Sequence, residues 1–412
     1  MNASQSSDNT GSRRLVWLIL AGVLILMPIL GRKGYEVWET RTVANYKTRC
    51  QSALQDEDWE TLIGVAKGWQ QWQPLAADPW LFLAEGYLQS GDPREATSCL
   101  ERIPRDSPKA VPALIKKSQI EFDVLNLPLV SEETCLEVLK LEPRAVEIHT
   151  RLIFFYALSL QRVKLIDQIQ QSIEMGAEPP EAYVSLMLCD HLYFTNGYQV
   201  NSRWLKSTPN SELFRVAAAV QFDEILQKLE NQTEETLTTR QESQAKLDRY
   251  LVDYPGNSIL LRYFLQRYAE ESNVNEVARI LTLVPPDVGN DSVFWRFRGW
   301  YQVAVNELDQ AEEAYRKSLE LMRLDWRTWQ GLSEVLRLQG KLEEADRCQR
   351  NALTGKQLRQ ELLQLPTAQD ITEEQLQKLS DYSRACGKPE LADHLLYRLR
   401  QRGVMEAGQE PR

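Results

Sequence analysis

The feature that most constrains the fold is an interval of 34 residues at which similar side chains recur near the carboxyl end of the chain. This interval relates one set of five residues to another: Trp295, Gly299, Ala311, Tyr315 and Ser318 are followed 34 positions later by Trp329, Ser333, Ala345, Gln349 and Ala352. Repeats of this length are typical of solenoids, in which each unit buries its apolar face only against neighbouring units. We therefore expect an array of stacked units.

A segment near the start of the chain has the same spacing of large and small residues. Its framework residues are Trp80, Leu83, Ala84, Tyr87, Ala96, Leu100, Ile103 and Pro108. Ala84 and Ala96 are small, and small residues let two antiparallel helices approach closely. Gly91, Asp92 and Pro93 lie between these alanines and predict a turn, because proline is favoured in the first turn of a helix. The segment is therefore predicted to be a helix hairpin.

Both segments resemble the tetratricopeptide repeat family. The resemblance is strong over 78–108 and 292–353, moderate over 40–77 and 371–401, and weak over 110–290. It implies an all-α, right-handed superhelical solenoid of antiparallel helix hairpins, about nine to eleven of them at 34 residues each. Together with the amino-terminal segment described below, it resembles membrane-anchored bacterial proteins of this family.

The repeats divide the sequence into seven predicted segments: a polar tail at 1–14, a transmembrane anchor at 15–31, repeats at 40–108, degenerate hairpins at 109–290, two repeats at 291–353, an insertion with a capping hairpin at 354–402, and a flexible tail at 403–412. The insertion, between Gly355 and Thr372, is expected to add a helix. The polar stretch from Lys228 to Ala245 is compatible with a solvated loop, a hinge between two lobes or an exposed helix face. Asn306 and Gly340 align at a turn position that tolerates a left-handed backbone.

Residues Leu15 to Leu30 contain no charged or amide side chain, and Arg14 and Arg32 flank them closely. As a helix they would extend about 24 Å, short of the roughly 30 Å hydrocarbon core, but flanking arginines can reach the interface. A cleaved signal peptide is the alternative, although Ile29 and Gly31 make a poor cleavage site. We predict an uncleaved single-pass membrane anchor in contact with the lipid bilayer. The positive charges downstream of it favour a cytoplasmic location for the repeats, but long domains are translocated largely regardless of charge, so the topology stays open.

The chain has 48 Lys and Arg against 58 Asp and Glu, and this balance argues against a nucleic-acid partner. The six cysteines are dispersed, without a CxxC pair, and are expected to be isolated buried thiols. No nucleophile elbow, zinc, phosphate-loop or dinucleotide motif is present. Cys189, Asp190 and His191 form the nearest approach to a polar cluster, and adjacent helical positions diverge too far to share a metal. We expect no cofactor, no metal, no small-molecule substrate and no catalysis.

The family resemblance implies a concave groove lined by the first helix of each hairpin, which binds protein or peptide partners. The predicted groove residues are Arg296, Trp300, Arg327, Gln330, Glu334 and Arg337. Three arginines against one glutamate favour an acidic peptide, and ordinary solvated arginines are the alternative. The Lys and Asn of the family's carboxylate clamp are not at these positions. The expected function is a membrane-tethered scaffold; a self-assembling solenoid of the cell envelope and an unrecognised helical enzyme are the alternatives.

Overall fold

A computed structural model describes the backbone of residues 33, 35–229, 233–286 and 291–407, and the side chains of these residues up to 400. The predicted polar tail at 1–14 and the predicted transmembrane anchor at 15–31 lie outside the described residues. Over the described ranges every regular element is helical, with twenty α-helices in total. They do not pair throughout into hairpins, because the ninth helix packs on the seventh and eighth while the tenth packs on the eleventh.

The chain divides into two compact units, at Ile120. Unit 1 contains α1 (35–55), α2 (Trp59–Trp72), α3 (Ala77–Gln89), α4 (Pro93–Glu101) and α5 (Ala110–Gln119). Unit 2 contains α6 (Pro128–Leu141), α7 (Val146–Leu158), α8 (Arg162–Glu174), α9 (Pro180–Leu188), α10 (Gly197–Ser207), α11 (Glu212–Lys228), α12 (Glu234–Asp253), α13 (Ser258–Glu270), α14 (Val274–Thr282), α15 (Ser292–Ala304), α16 (Leu308–Leu321), α17 (Trp326–Leu338), α18 (Leu342–Leu363), α19 (Glu373–Ala385) and α20 (Pro389–Ala407).

The hairpin turns contain residues with a positive φ angle, at 34-residue intervals in both units. They are Glu57 and Gly91 in unit 1, and in unit 2 first Asn126 and Leu160, then Ser272, Asn306 and Gly340. Asn306 (φ 63°) and Gly340 (φ 78°) confirm the left-handed turn predicted at these two positions. Because Ser272 lies 34 residues before Asn306, the regular register extends back into the segment predicted as degenerate.

The residue after the turn often caps the next helix. The side chains of Asp58, Asp92 and Asn273 each accept a hydrogen bond from the backbone N–H three residues later. Such a cap satisfies one of the N–H groups that the first turn of a helix leaves without a partner. Behind the turns, small residues such as Ala84 and Ala96 are almost completely buried, as the spacing predicts. Turn and small residue therefore recur along the repeats, and some turns add a cap, whereas Glu307 and Lys341 give α16 and α18 no side-chain cap.

The predicted insertion between Gly355 and Thr372 does not form an additional α-helix. Instead α18 is one continuous helix of 22 residues, followed by a single turn of 3₁₀ helix at Ala368–Asp370. The reason is that Ala352, Gly355, Leu358 and Leu362 are all buried and continue the helical period without interruption. At Gly355 a Cβ atom would lie 2.3 Å from the hydroxyl oxygen of Tyr382, so a glycine is needed for this close approach.

Of the three interpretations of the stretch from Lys228 to Ala245, the structure supports the exposed helix face, because most of the stretch lies on α12. The boundary between the two compact units lies at Ile120, which does not support a hinge between lobes at 228–245. The predicted flexible tail at 403–412 begins inside α20, which extends to Ala407. In the described part of the chain no helix combines the length and apolarity that a bilayer crossing requires.

The regular succession of hairpins is interrupted at α9. This helix packs against α7 and α8, and also against α18 and the 3₁₀ turn, which lie far along the chain. The next helices, α10 and α11, pack on each other. Consequently the loop after α9, which contains Asp190 and His191, lies beside the helices of the carboxyl-terminal repeats. This contact between remote repeats shapes the candidate site.

Candidate partner-binding site

A cavity of about 380 Å³ lies on the faces of α13, α15 and α17, the first helices of three consecutive hairpins. Each helix contributes residues three or four positions apart, which share one helix face. The lining residues are Gln266, Ala269 and Glu270 from α13, Arg296, Phe297 and Trp300 from α15, Tyr315 from α16, and Trp326, Arg327, Gln330, Gly331 and Glu334 from α17. We call this space the aromatic cavity.

Tyr315 enters the aromatic cavity between two glycines. A Cβ atom at Gly331 would lie 2.4 Å from the phenol ring, and one at Gly299 would lie 2.9 Å from it. Real Cβ atoms do not approach carbon atoms this closely, so both positions require glycine while the ring stays in place. Tyr315 is 4% exposed, and burial raises its pKa above the ordinary value. The ring therefore forms a rigid part of the cavity wall.

Five of the six residues predicted to bind a partner line this cavity: Arg296, Trp300, Arg327, Gln330 and Glu334. The structure does not bring Arg337 to it. Arg337 forms an ion pair with Asp346 at 3.4 Å, and both side chains are more than half exposed. That these residues bind a partner stays a prediction, but five of them share one surface, as a groove requires.

Arg296 forms the buried floor of the aromatic cavity. Its Nη1 donates to Asp190 Oδ2 at 2.6 Å and also forms an ion pair with Asp325. Burial alone would raise the pKa of Asp190, but Arg162 and Arg296 hold it well below its ordinary value. Arg296 therefore stays charged and paired inside unit 2, and it is not a solvated arginine of an open groove.

The ion pairs continue from Asp190 to the start of α8. Arg162 Nε donates to Asp190 Oδ1 at 2.5 Å, and its Nη2 donates to Ser292 Oγ at 2.9 Å. Arg162 also forms an ion pair with Asp291, where both side chains are at most 2% exposed. We call Arg162, Asp190, Asp291, Arg296 and Asp325 the buried ion network. Because buried charges are costly unless paired, the network fixes α8 and the loop after α9 against α15 and α17.

The charge of the aromatic cavity differs from the sequence prediction. Arg296 is paired within the buried ion network and Arg337 lies outside the cavity. Of the three predicted arginines, only Arg327 therefore remains on the cavity wall outside that network. Its guanidinium lies over the Trp326 ring, 4.8 Å from the centroid. At the other side the carboxylates of Glu270 and Glu334 line the cavity. The surface is thus aromatic in its centre, positive at Arg327 and negative at two glutamates.

Extending the repeat frame backwards identifies residues that the prediction missed. Gln266 lies 34 positions before Trp300, and Trp300 lies 34 before Glu334, so the three occupy equivalent positions. Arg262 is the equivalent of Arg296, and it is buried and donates to Leu160 O at 2.6 Å. Phe297 and Trp326 adjoin predicted residues on the same helix face. Asp190 gives no such signal, because it precedes an irregular segment.

The three histidines lie apart in unit 2. His149 Nε2 bonds to Pro143 O at 2.9 Å, His191 lies beside Arg359, and His394 lies beside Glu178. Burial and nearby acidic groups raise the pKa of the Cys189 thiol to about 12, although Arg162 opposes this rise. Across the residues whose placement is described, no group of three His, Cys, Asp or Glu side chains is arranged to hold a metal ion. All six cysteines are buried, as predicted.

These hairpins, their turns and their 34-residue register give each of the two units, over its described residues, an all-α fold of tetratricopeptide-like repeats. No protein-family model matches the chain, and no curated protein matches it in sequence. Among solved structures, it is similar to the Cut9–Hcn1 hetero-tetramer of the APC/C (15% identity, 86% of this chain and 71% of that one, TM-score 0.31). It is also similar to a tetratricopeptide repeat protein from Parabacteroides merdae (14%, 63% and 98%, TM-score 0.30) and to human IFIT1 in a dimer with m7Gppp-AAAA (11%, 80% and 90%, TM-score 0.33).

Proposed function

We propose that this protein is a non-catalytic scaffold that binds an extended segment of a partner protein in the aromatic cavity. The observation that carries the proposal is the convergence of Trp300, Phe297 and Trp326 on one cavity between successive first helices. Aromatic side chains that surround an apolar anchor residue are the usual energetic centre of protein interfaces. Solenoid proteins commonly bind their partners on this face.

The charges around the cavity favour one chemistry for the bound segment. An apolar side chain would occupy the aromatic centre, an acidic residue would pair with Arg327, and a basic or amide residue would face Glu270 and Glu334. Arg327 already stacks on Trp326, so its planar guanidinium is oriented for a carboxylate.

A site-specific crosslink tests this proposal. A photoreactive amino acid replaces Gln330, an exposed residue that lines the cavity, or Arg350, an exposed residue of α18 that does not line it. We expect position 330 to give a discrete crosslinked partner in cells. We expect Trp300→Ala to weaken binding of that partner about thirtyfold, since a central aromatic contributes about 2 kcal/mol or more.

The matched position decides the result. If positions 330 and 350 crosslink the same proteins, or if Trp300→Ala leaves the product of position 330 unchanged, the cavity is not the binding site. If the cavity does bind the partner, mass spectrometry of the crosslinked peptide should identify a segment with an apolar anchor residue and a neighbouring acidic residue. A partner without such a segment would contradict the proposed charge complementarity.

We also propose that residues 15–31 tether the scaffold to a membrane. Their uncharged run supports this, and so do the flanking Arg14 and Arg32, whose side chains can reach the interface from a helix somewhat shorter than the hydrocarbon core. Deletion of 15–31 should move the protein from the carbonate-resistant membrane pellet to the supernatant. Equal extraction of the full and shortened chains would contradict the tether. The exclusion of nucleic acids and of catalysis remains an expectation from the sequence.

A further inference from the structure

The exposed apolar side chains of unit 1 lie at one of its ends. Among the side chains that the structure describes for this unit, the large apolar ones that are more than half exposed are Tyr35, Val37, Trp38 and Leu75. Three of them lie in the first turn of α1, and Leu75 lies in the loop after α2. We call these four residues the apolar end of unit 1.

Contacts between α1 and α2 bring the four side chains to the same place. The Trp38 ring lies 5.7 Å from the ring of Trp72, the last residue of α2, in an edge-to-face arrangement. Beside them, Gln73 Nε2 donates to Glu39 Oε1 at 2.8 Å. Leu75 follows two residues later and is 81% exposed. The start of α1 and the loop after α2 therefore form one surface.

An exposed arginine lies beside this surface. The indole Nε1 of Trp80, on α3, donates to Pro74 O at 3.0 Å, in the same loop as Leu75. The guanidinium carbon of Arg102 lies 5.2 Å from the centroid of the Trp80 ring. Because a guanidinium group binds phosphate oxygens through two parallel N–H···O bonds, Arg102 is suited to a lipid phosphate. Exposed aromatic rings and a cation are thus found together.

The position of the apolar end in the sequence favours a lipid surface over a protein partner. An exposed apolar patch marks a contact with either of the two. Tyr35 lies five positions after Leu30, the end of the uncharged stretch, so the chain between them extends at most about 18 Å. Trp and Tyr are enriched at the membrane–water interface, where the ring contacts acyl chains and its polar atom stays hydrated. A bilayer crossing by residues 15–31 would hold the apolar end within reach of that interface.

We propose that the apolar end of unit 1 inserts into the interfacial region of the lipid bilayer, with Arg102 facing a lipid phosphate. Unit 1 then lies against the membrane surface instead of moving freely on a tether. The opposite end of the unit, at the turn between α1 and α2, faces away from the bilayer. The proposal deepens the proposed function, and it rests on the membrane tether at 15–31.

Spin labels on the full chain, in vesicles of phosphatidylcholine and phosphatidylglycerol, test the proposal. One label is attached at Leu75→Cys and another at Gln55→Cys, the exposed last residue of α1, about 30 Å along this helix from Tyr35. The labelling is selective because all six native cysteines are buried. Collisions with oxygen report exposure to lipid, and collisions with a water-soluble nickel chelate report exposure to water. We expect position 75 to be open to oxygen and shielded from nickel, and position 55 to be open to nickel.

Matched charge variants separate insertion from mere proximity to the membrane. Val37 and Gln55 are 18 residues apart on α1, about five turns, so they share one helix face. With the label at Leu75→Cys, Val37→Glu should reduce the shielding from nickel, because a carboxylate is unfavourable in the interface, whereas Gln55→Glu should leave the shielding unchanged. Equal shielding in the two variants would overturn the proposal.

The two collision reagents and a third label identify the cause of a failure. If position 75 is as open to nickel as position 55, the apolar end lies in water. If it is shielded from both reagents, a protein surface covers it, and either result overturns the proposal. A label at Ala21→Cys tests the tether separately. Lipid exposure at 21 with water exposure at 75 would leave the tether in place and contradict only the inserted end, whereas water exposure at 21 would contradict the tether and the proposal with it.

Discussion

In unit 1 the ion pairs between hairpins join neighbouring elements and stay partly exposed, as Lys116 with Glu85 and Lys109 with Asp78 do. In unit 2 the buried ion network joins α8 to α15 and α17, over more than a hundred residues of sequence. The first arrangement is that of a simple solenoid, in which each repeat contacts only its neighbours. The second shows that unit 2 depends on contacts between remote repeats, and these contacts position the aromatic cavity.

The largest expected effect is on the buried ion network. Arg162→Met leaves Asp190 and Asp291 without one of their partners and should lower the free energy of unfolding by about 3–5 kcal/mol. In unit 1, Lys116→Met removes a half-exposed partner of Glu85 and should cost at most about 1 kcal/mol. Urea unfolding followed by circular dichroism measures both. Equal losses in the two variants would show that the network is no more important than a surface pair.

Two glycine substitutions, one in each unit, should change the free energy of unfolding in opposite directions. Gly331→Ala would force Tyr315 to move and should destabilise unit 2 by about 1–3 kcal/mol. Gly64→Ala, in α2 of unit 1, meets no atom within 4 Å and should stabilise the chain by about 0.5–1 kcal/mol, because alanine favours a helix interior. Thermal unfolding measures the two shifts. Stabilisation by Gly331→Ala would mean that Tyr315 is not held in its described position.

The last comparison concerns a second long-range contact of unit 2. Glu178 Oε1 accepts hydrogen bonds from His394 Nε2 at 2.7 Å and Arg398 Nε at 2.6 Å. Burial opposes ionisation, but these partners and Tyr183 lower the pKa of Glu178 from 4.5 to about 2. Because the folded-state pKa is the lower one, the stabilisation is complete above about pH 4.5 and is lost as the pH falls towards 2.

Hydrogen exchange of α20 between these pH values checks this prediction. Protection of residues 389–400 should fall as the pH decreases, and Glu178→Gln should reduce the protection at neutral pH and remove most of its pH dependence. The helices of unit 1 serve as an internal control, since they do not contact Glu178. Unchanged protection of α20 in the variant at all pH values would contradict the contribution of this contact.

The sequence predicted the features that depend on local interactions. The spacing of Ala84 and Ala96 predicts the hairpin, because the packing of its two helices is decided within one repeat. Asn306 and Gly340 predict the turns, because the backbone sterics of a single residue decide whether it can adopt a positive φ angle. The frame also placed Trp300, Arg327 and Glu334 on one face, since that face follows from the helical period. These are the parts of the fold and the site that one 34-residue unit determines.

The contacts between remote repeats could not be predicted in this way. Asp190 has no repeat equivalent, so its pairing with Arg296 does not follow from any spacing. The approach of Tyr315 to Gly331 depends on how two hairpins stack, and the loop carrying His191 follows an interrupted hairpin. The error at Gly355 had a different cause. The longer spacing between repeats was interpreted as an additional helix, whereas the buried positions of α18 continue past Gly355 in one uninterrupted helix.

A distance measurement tests most directly the claim that the early helices of unit 2 contact its last ones. Glu181 on α9 and Gln369 in the 3₁₀ turn are hydrogen-bonded to each other. Spin labels at Glu181→Cys and Gln369→Cys can be attached selectively, because all six native cysteines are buried. We predict a single short distance in the full chain. An open stack, in which helix layers lie roughly 10 Å apart, would place the labels several layers away, and a long or broad distribution would contradict the account.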